Sequence, residues 1–174
     1  AITTFDSTGT AAGDVIDAGS AATDAITQGA LTTATVASAT DTPGVKSTAT
    51  VGFTTAGRIL SGGAIQLVFS DGQTFDGNPT VAFTPNTVTG TAVWTAGTST
   101  LVITTGGDAV SADEGTAVSF TLTNMRNAPS VVGASTVAIT TFDSTGTAAG
   151  DVIDAGSGAT DAITQGALTT ATVA

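Results

Sequence analysis

The residues in this chain that could do chemistry are almost all aspartates. Cysteine and histidine are absent, which excludes a Ser-His-Asp triad, a cysteine nucleophile and the usual zinc sites. Nucleotide-binding GxGxxG and P-loop patterns are absent as well. Paired carboxylates are present, but one tryptophan and no tyrosine leave little aromatic surface for a glycosidase to hold sugar. The sequence therefore predicts a protein that is not an enzyme.

Calcium is the one ligand that the aspartates favour, because hard cations bind clusters of carboxylate and carbonyl oxygens. Two interpretations stay open. The aspartates bind calcium where successive units join, or they form Asx turns and keep the surface soluble. No cofactor is required under either interpretation. The candidate metal ligands form two groups with the same spacing: Asp143, Asp151, Asp154 and Asp161, and Asp6, Asp14, Asp17 and Asp24.

The net charge of −11, with only three basic residues, excludes partners that need a basic surface. Nucleic acids and anionic membranes both bind clustered Lys and Arg, so neither is expected as a partner. No run approaches the 18 or so apolar residues of a membrane helix, so membrane insertion is not expected. A chain rich in Thr, Ala and Gly and poor in Lys and aromatic residues is typical of secreted structural proteins. We expect an extracellular or cell-surface location.

A near-perfect duplication joins the two ends of the chain. Residues 1–37 recur as residues 138–174, an offset of 137, and the copies differ at one position, where Ala21 corresponds to Gly158. Such repeats are typical of modular arrays. The sequence therefore predicts a unit of about 137 residues that associates with itself head to tail, either covalently in tandem or as separate subunits.

The middle of the chain predicts an all-β fold, because short alternating segments are separated by Gly, Asp, Asn and Pro. The clearest strand is Thr116–Asn124, where Val118, Phe120 and Leu122 face one way. Trp94 and the phenylalanines are expected in the core. Seven or eight such strands favour an antiparallel β-sandwich. Further predicted strands are Ala30–Ala37, Thr48–Thr55, Ile65–Ser70, Thr80–Thr84, Thr91–Thr95, Ser99–Thr105 and Ser135–Phe142.

The late part of the unit resembles immunoglobulin-like repeats of large secreted surface proteins and adhesins. The resemblance lies in TAVSFTLTNMRNAPSVVGASTVAITTFDSTG followed by VIDAGS, and covers about a third of the unit. It implies an immunoglobulin-like sandwich in a stalk, filament or coat, with no catalytic residues. In some such modules a lysine bonds covalently to an asparagine, for which Lys46 with Asn124 or Asn127 is the candidate set. The alternative is an ordinary surface lysine.

These observations predict four segments. Residues 1–20 carry the last strand and acidic loop of one repeat, residues 21–29 a joint, residues 30–157 a complete repeat, and residues 158–174 a joint and the next first strand. Ala1–Phe5 and Leu168–Ala174 are the expected exchange strands. The predicted function is a structural subunit of an extracellular filament, held by strand pairing or donor-strand exchange between repeats. The alternative is a repeat of a giant adhesin that binds sugar or another surface ligand through threonine-rich faces.

Overall fold

The protein is an all-β molecule, as the sequence predicts. The computed structural model describes residues 2–5, 15–22, 24–84, 88–107, 110–143, 147 and 151–167. Within these residues there are β-strands and a short 3₁₀ turn at Ala96–Thr98, and no α-helix. The strands are β1 (Ile2–Phe5), β2 (Val15–Gly19), β3 (Gly29–Ala30), β4 (Thr32–Ser38), β5 (Lys46–Thr54), β6 (Ile59–Leu60), β7 (Ala64–Val68), β8 (Thr74–Phe75), β9 (Val81–Thr84), β10 (Val88–Thr95), β11 (Thr100–Gly107), β12 (Val110–Ala112), β13 (Ala117–Arg126), β14 (Thr136–Phe142) and β15 (Val152–Thr160).

One large sheet of eleven strands forms the body of the molecule. Its order is β10-β11-β7-β14-β15-β4-β5-β13-β8, with β3 also beside β15 and β9 also beside β13. The pairs β1–β2 and β6–β12 form separate two-stranded sheets. The sheets curve into a near-barrel, and register shifts in β13, β14 and β4 add the local bends that such curvature requires. A seven- or eight-stranded immunoglobulin-like sandwich is not confirmed.

The core lies inside this curved sheet and follows the predicted alternation. Val118, Phe120 and Leu122 of β13 are buried. The Phe120 ring lies 4.9 Å from that of Phe83 and 6.4 Å from that of Phe53, centroid to centroid. Phe69, Phe75 and Phe142 are also buried, while Trp94 is partly buried against the core. The predicted core role is thus confirmed for these phenylalanines, since each excludes a large apolar area from water.

The predicted strands that fall within the described residues all overlap observed strands, but β15 was not predicted. The sequence predicts no strand between Phe142 and the joint that begins at residue 158. The structure instead has a nine-residue strand over Val152–Thr160. Its sequence, VIDAGSGAT, lacks aromatic residues and has only two β-branched apolar residues, so its β-propensity is weak. The position of the strand between β14 and β4 compensates, because both of its edges are hydrogen-bonded.

No helix in the described part of the chain is long and apolar enough to cross a membrane.

Candidate functional site

The two copies of the duplicated sequence form the same β-hairpin. In the second copy Ile139 pairs with Gly156, and Thr141 pairs with Asp154. In the first copy the corresponding Ile2 pairs with Gly19, and Thr4 pairs with Asp17. Both ladders shift register at the same place, before Phe142 and before Phe5. We call β1–β2 the N-terminal hairpin and β14–β15 the C-terminal hairpin; each duplicated sequence carries its own local fold.

The environments of the two hairpins differ. The C-terminal hairpin occupies a slot in the large sheet, with β14 antiparallel to β7 on one side and β15 parallel to β3 and β4 on the other. Among the described strands, β1 and β2 form a ladder only with each other, and Thr3, Ala18 and Gly19 are exposed. One sequence is therefore present both inside a large sheet and outside it.

Asp154 holds the C-terminal hairpin in the slot. Its side chain is fully buried. Its carboxylate accepts hydrogen bonds from the backbone N–H groups of Ala56, at 3.2 Å, and of Gly57, at 3.0 Å to each oxygen. The N–H of Asp154 itself donates to Thr141 Oγ1 at 3.1 Å. Hydrogen bonds to a charged acceptor are stronger than neutral ones, so this contact fixes the register of β15 against the loop after β5.

Glycines make room for this contact and for the close approach of β15 to its neighbours. A Cβ at Gly29 would lie 2.1 Å from Asp154 Oδ1, and one at Gly57 would lie 2.3 Å from Ile153 Cγ2. Along β15, a Cβ at Gly156 would lie 2.8 Å from Leu31 Cβ. These distances are too short for any side chain, so the parallel pairing of β15 with the start of the unit depends on glycine.

Ile163 attaches the chain to the body after β15. It is 3% exposed and forms an antiparallel bridge with Val132. The next residue, Thr164, donates its N–H to the carbonyl of Asp41 at 2.8 Å. In the first copy the corresponding residue is Ile26, whose side chain is 101% exposed. Burial of the Ile163 side chain stabilises the fold by about 1.5–3 kcal/mol, and the exposed Ile26 lacks this stabilisation.

The predicted calcium ligands are only partly brought together. Asp143, Asp151 and Asp154 line one open cleft of about 630 Å³, which also contacts the segment Ile26–Gly29. The Asp154 carboxylate is already bound by backbone N–H groups, and Asp161 is exposed outside the residues that line the cleft. Among the described residues no group of three or more acidic side chains has a metal-binding arrangement.

Among the first-copy aspartates, only Asp24 has a described side-chain environment. Asp24 is exposed. Asp6 and Asp14 lie outside the described residues, and Asp17 is described in its backbone pairing alone. Calcium binding therefore stays a prediction. Of the two expected exchange strands, Ile2–Phe5 is the strand β1, whereas Leu168–Ala174 lies outside the described residues.

Lys46 and Asn127 have separate partners, while the backbone carbonyl of Asn124 accepts a hydrogen bond from the N–H of Asp76 at 3.1 Å. Lys46 Nζ lies 3.7 Å from Asp76 Oδ2, and Asp76 also accepts a hydrogen bond from Arg126 Nη2 at 2.6 Å. This bond from Arg126 lowers the pKa of the Asp76 carboxyl, and the same pairing raises the pKa of Arg126. Asn127 is buried and its Nδ2 donates to the carbonyls of Thr40 and Thr42. The geometry favours an ordinary surface ion pair for Lys46.

The signal that sequence reasoning missed lies within the duplication itself. Gly29 and Gly166 occupy the same place after the two hairpins, so each duplicated segment holds the end of one unit and the start of the next; the structure places these two parts side by side. No family model matches the chain, and no curated protein matches it.

The candidate site is the hairpin slot, defined by β7, β3, β4 and the Ala56–Gly57 loop.

Proposed function

We propose that the chain is a structural protein, the repeating module of an extracellular filament in which modules associate through β-strand pairing. The observation that carries this proposal is the presence of the same hairpin twice, once within a large sheet and once outside it. The edge of a hairpin that lies outside a larger sheet is an association surface. The C-terminal hairpin shows the strands with which this sequence pairs. The expected partner of the N-terminal hairpin is therefore another module of the same kind.

The immunoglobulin-like sandwich stays part of this proposal as the finer description of the fold. It is supported by the pairing of a strand near the start of the unit, β4, with the last strand, β15. Modules of this build can follow one another along a fibre, since the chain enters and leaves at opposite ends of one strand pair. The net charge of −11 suits an extracellular protein that stays soluble until it assembles.

The proposal is tested on material from the native source. We expect electron microscopy of the extracellular fraction to show fibres that bind an antibody raised against residues 24–84. A denaturing gel then separates the two assembly schemes: a band near 17 kDa, the 16.6 kDa of this chain, indicates separate subunits, and a very large species indicates tandem repeats. Dispersed single modules under all conditions would contradict the filament.

The adhesin alternative has one observation in its favour, an exposed threonine face. Thr50 of β5 lies directly opposite Thr121 of β13, and both are exposed, as are Thr35 and Thr48. A regular set of hydroxyls on neighbouring strands is the feature that a sugar-binding face requires. Binding on a glycan array that the double substitution Thr50→Ala/Thr121→Ala abolishes would favour this alternative. Unchanged binding after the substitution would count against this face.

A further inference from the structure

The N-terminal hairpin and the segment after it have nearly the same sequence as a segment that packs within the large sheet, but they lie outside that sheet. The C-terminal hairpin fills the slot between β7 and β4, and the buried Ile163 lines a small cavity together with Val36, Phe69 and Met125. In the first copy, Ile26 is exposed. The second copy thus shows the surroundings in which this sequence is paired and buried.

We infer that the N-terminal hairpin, together with residues 24–28, docks into the hairpin slot of a second body with this same sequence. This inference rests on the proposed function and specifies its contact. In the docked state β1 pairs with β7 of the other body, and β2 lies parallel to its β3 and β4. Asp17 takes the position that Asp154 holds here, and Ile26 takes the buried position of Ile163.

The chain's own slot is a poor site for its N-terminal hairpin. If β2 occupied the place of β15, it would lie parallel to β3 of its own chain. Only residues 20–28, nine in number, connect β2 to β3, whereas a crossover between parallel neighbours takes a dozen residues or more. The C-terminal hairpin reaches the same place without this constraint, since the whole body separates it from β3.

The docked arrangement brings the two bodies into direct contact. Thr164 donates its N–H to Asp41 of its own body, so the corresponding Thr27 would donate to Asp41 of the other body. Two residues later, Gly29 pairs with Asp154 of its own body. Two extended residues span about 7 Å, so the Asp41–Thr42 rim of one body lies against the cleft beside Ala56 and Gly57 of the next.

The single difference between the copies affects their competition for the slot. A Cβ at Gly158 would lie 3.0 Å from Val36 Cγ2 and 3.1 Å from Ile139 Cδ1. The first copy carries such a Cβ at Ala21, so it fits this slot slightly less well. The C-terminal hairpin also has the advantage of being attached to its own slot. The unmodified chain is therefore expected to be largely monomeric in dilute solution.

The test weakens one copy at a time in the full-length chain. Asp154→Asn/Ile163→Ser weakens the C-terminal copy, and Asp17→Asn/Ile26→Ser makes the matched changes in the N-terminal copy. We expect the first variant to form head-to-tail dimers and longer species, with an association constant on the order of tenfold or more above that of the unmodified chain. The second variant and the variant with all four changes stay monomeric. Analytical ultracentrifugation over a concentration series measures this difference.

A disulfide identifies the contact. The chain has no cysteine, and Thr140 pairs with Gln66 across β14 and β7. Thr140→Cys/Gln66→Cys should therefore cross-link within one molecule. In the weakened C-terminal background, Thr3→Cys/Gln66→Cys should cross-link between molecules. In that second variant, a disulfide formed within one molecule would overturn the inference, as would a weakened chain that stays monomeric.

A milder pair of changes keeps the inference testable if the weakened variant does not fold. Exchanging the one differing residue, Ala21→Gly/Gly158→Ala, gives the N-terminal hairpin the better fit. We expect the association constant to rise in the same direction by a few-fold, and an unchanged or lower constant would count against docking. Fibres in the native source, together with a Thr3→Cys/Gln66→Cys variant that forms no cross-link between molecules, would leave the filament proposal intact and contradict the hairpin contact alone. Joining two units in one polypeptide then distinguishes docking between separate chains from docking within a tandem chain. In the joined chain, the hairpin of one unit should occupy the slot of the other, and sedimentation should not depend on protein concentration.

Discussion

At the scale of single residues, the buried carboxylate of Asp154 decides how the unit closes. It is an acidic side chain within a sheet, where a charge is costly unless hydrogen bonds compensate it. The N–H groups of Ala56 and Gly57 supply those bonds, and Gly29 leaves the space that the carboxylate occupies. These four residues come from three distant parts of the sequence, and together they join the first strand of the unit, β3, to its last, β15.

We predict that Asp154→Asn lowers the free energy of unfolding by about 2–4 kcal/mol. The N–H groups of Ala56 and Gly57 would lose a charged acceptor, and the new amide nitrogen, itself a donor, would face them. Urea denaturation with an unchanged slope measures this loss. The matched control is Asp17→Asn, for which we expect a change within about 0.5 kcal/mol in the monomeric chain. Equal losses from both substitutions would show that the contact to Ala56 and Gly57 is not what stabilises the unit.

At the scale of elements, apolar alternation predicts strands well and pairing poorly. Strands with a clear buried face, such as β5 and β13, are confirmed because their alternation depends on sequence alone. The strand β15 was missed since its glycines, Gly156 and Gly158, lower its β-propensity and leave room for Leu31 and Val36, which are long-range contacts. For the same reason Asp154 was predicted as a calcium ligand. Its partners become visible only when the loop after β5 is placed beside it.

We predict that Gly158→Ala lowers the free energy of unfolding by about 1 kcal/mol, because Val36 and Ile139 must move to admit the methyl group. Thermal or urea unfolding of the full chain measures the change. Ala21→Gly is the matched control and should leave the unfolding of the body unchanged within about 0.5 kcal/mol. A chain stabilised by Gly158→Ala would mean that the lost flexibility of the unfolded state outweighs the crowding.

At the scale of the whole molecule, charge sets the conditions for assembly. Each chain has a net charge of −11, and the proposed contact brings the rim that carries Asp41 towards the cleft that carries Asp143 and Asp151. Like charges repel over a distance that salt shortens, from roughly 30 Å at 0.01 M to about 8 Å at 0.15 M ionic strength. Assembly is therefore expected to depend on the ions present.

We predict that association of the Asp154→Asn/Ile163→Ser chain strengthens as sodium chloride rises from about 0.01 M to about 0.15 M, because screening reduces the repulsion between bodies. Sedimentation at each salt concentration measures the effect. Calcium chloride at matched ionic strength is the comparison: an equal gain indicates screening, and a larger gain supports the predicted calcium ligands. Weaker association at higher salt would show that attraction between opposite charges holds the joint.

The parallel pairing of β15 with β3 and β4 determines how the unit would respond to force. Tension along a fibre would act on the start of β3, at Gly29, and, once the contacts of Ile163 and Thr164 have opened, on the end of β15, at Thr160. These residues lie at opposite ends of the same strand pair. Pulling them apart slides one strand along the other, so the hydrogen bonds between them resist together instead of opening one after another.

Single-molecule pulling would reveal this difference directly. Cysteine handles at the exposed positions Gln28 and Asp161 shear β15 against β3 and β4, and should require a several-fold higher rupture force than handles at Ala134 and Asp161. The latter pair lies at the open end of the antiparallel C-terminal hairpin and unzips it. Equal forces for the two geometries would contradict the shear arrangement. A unit built in this way would be strongest along the one direction in which a fibre is pulled.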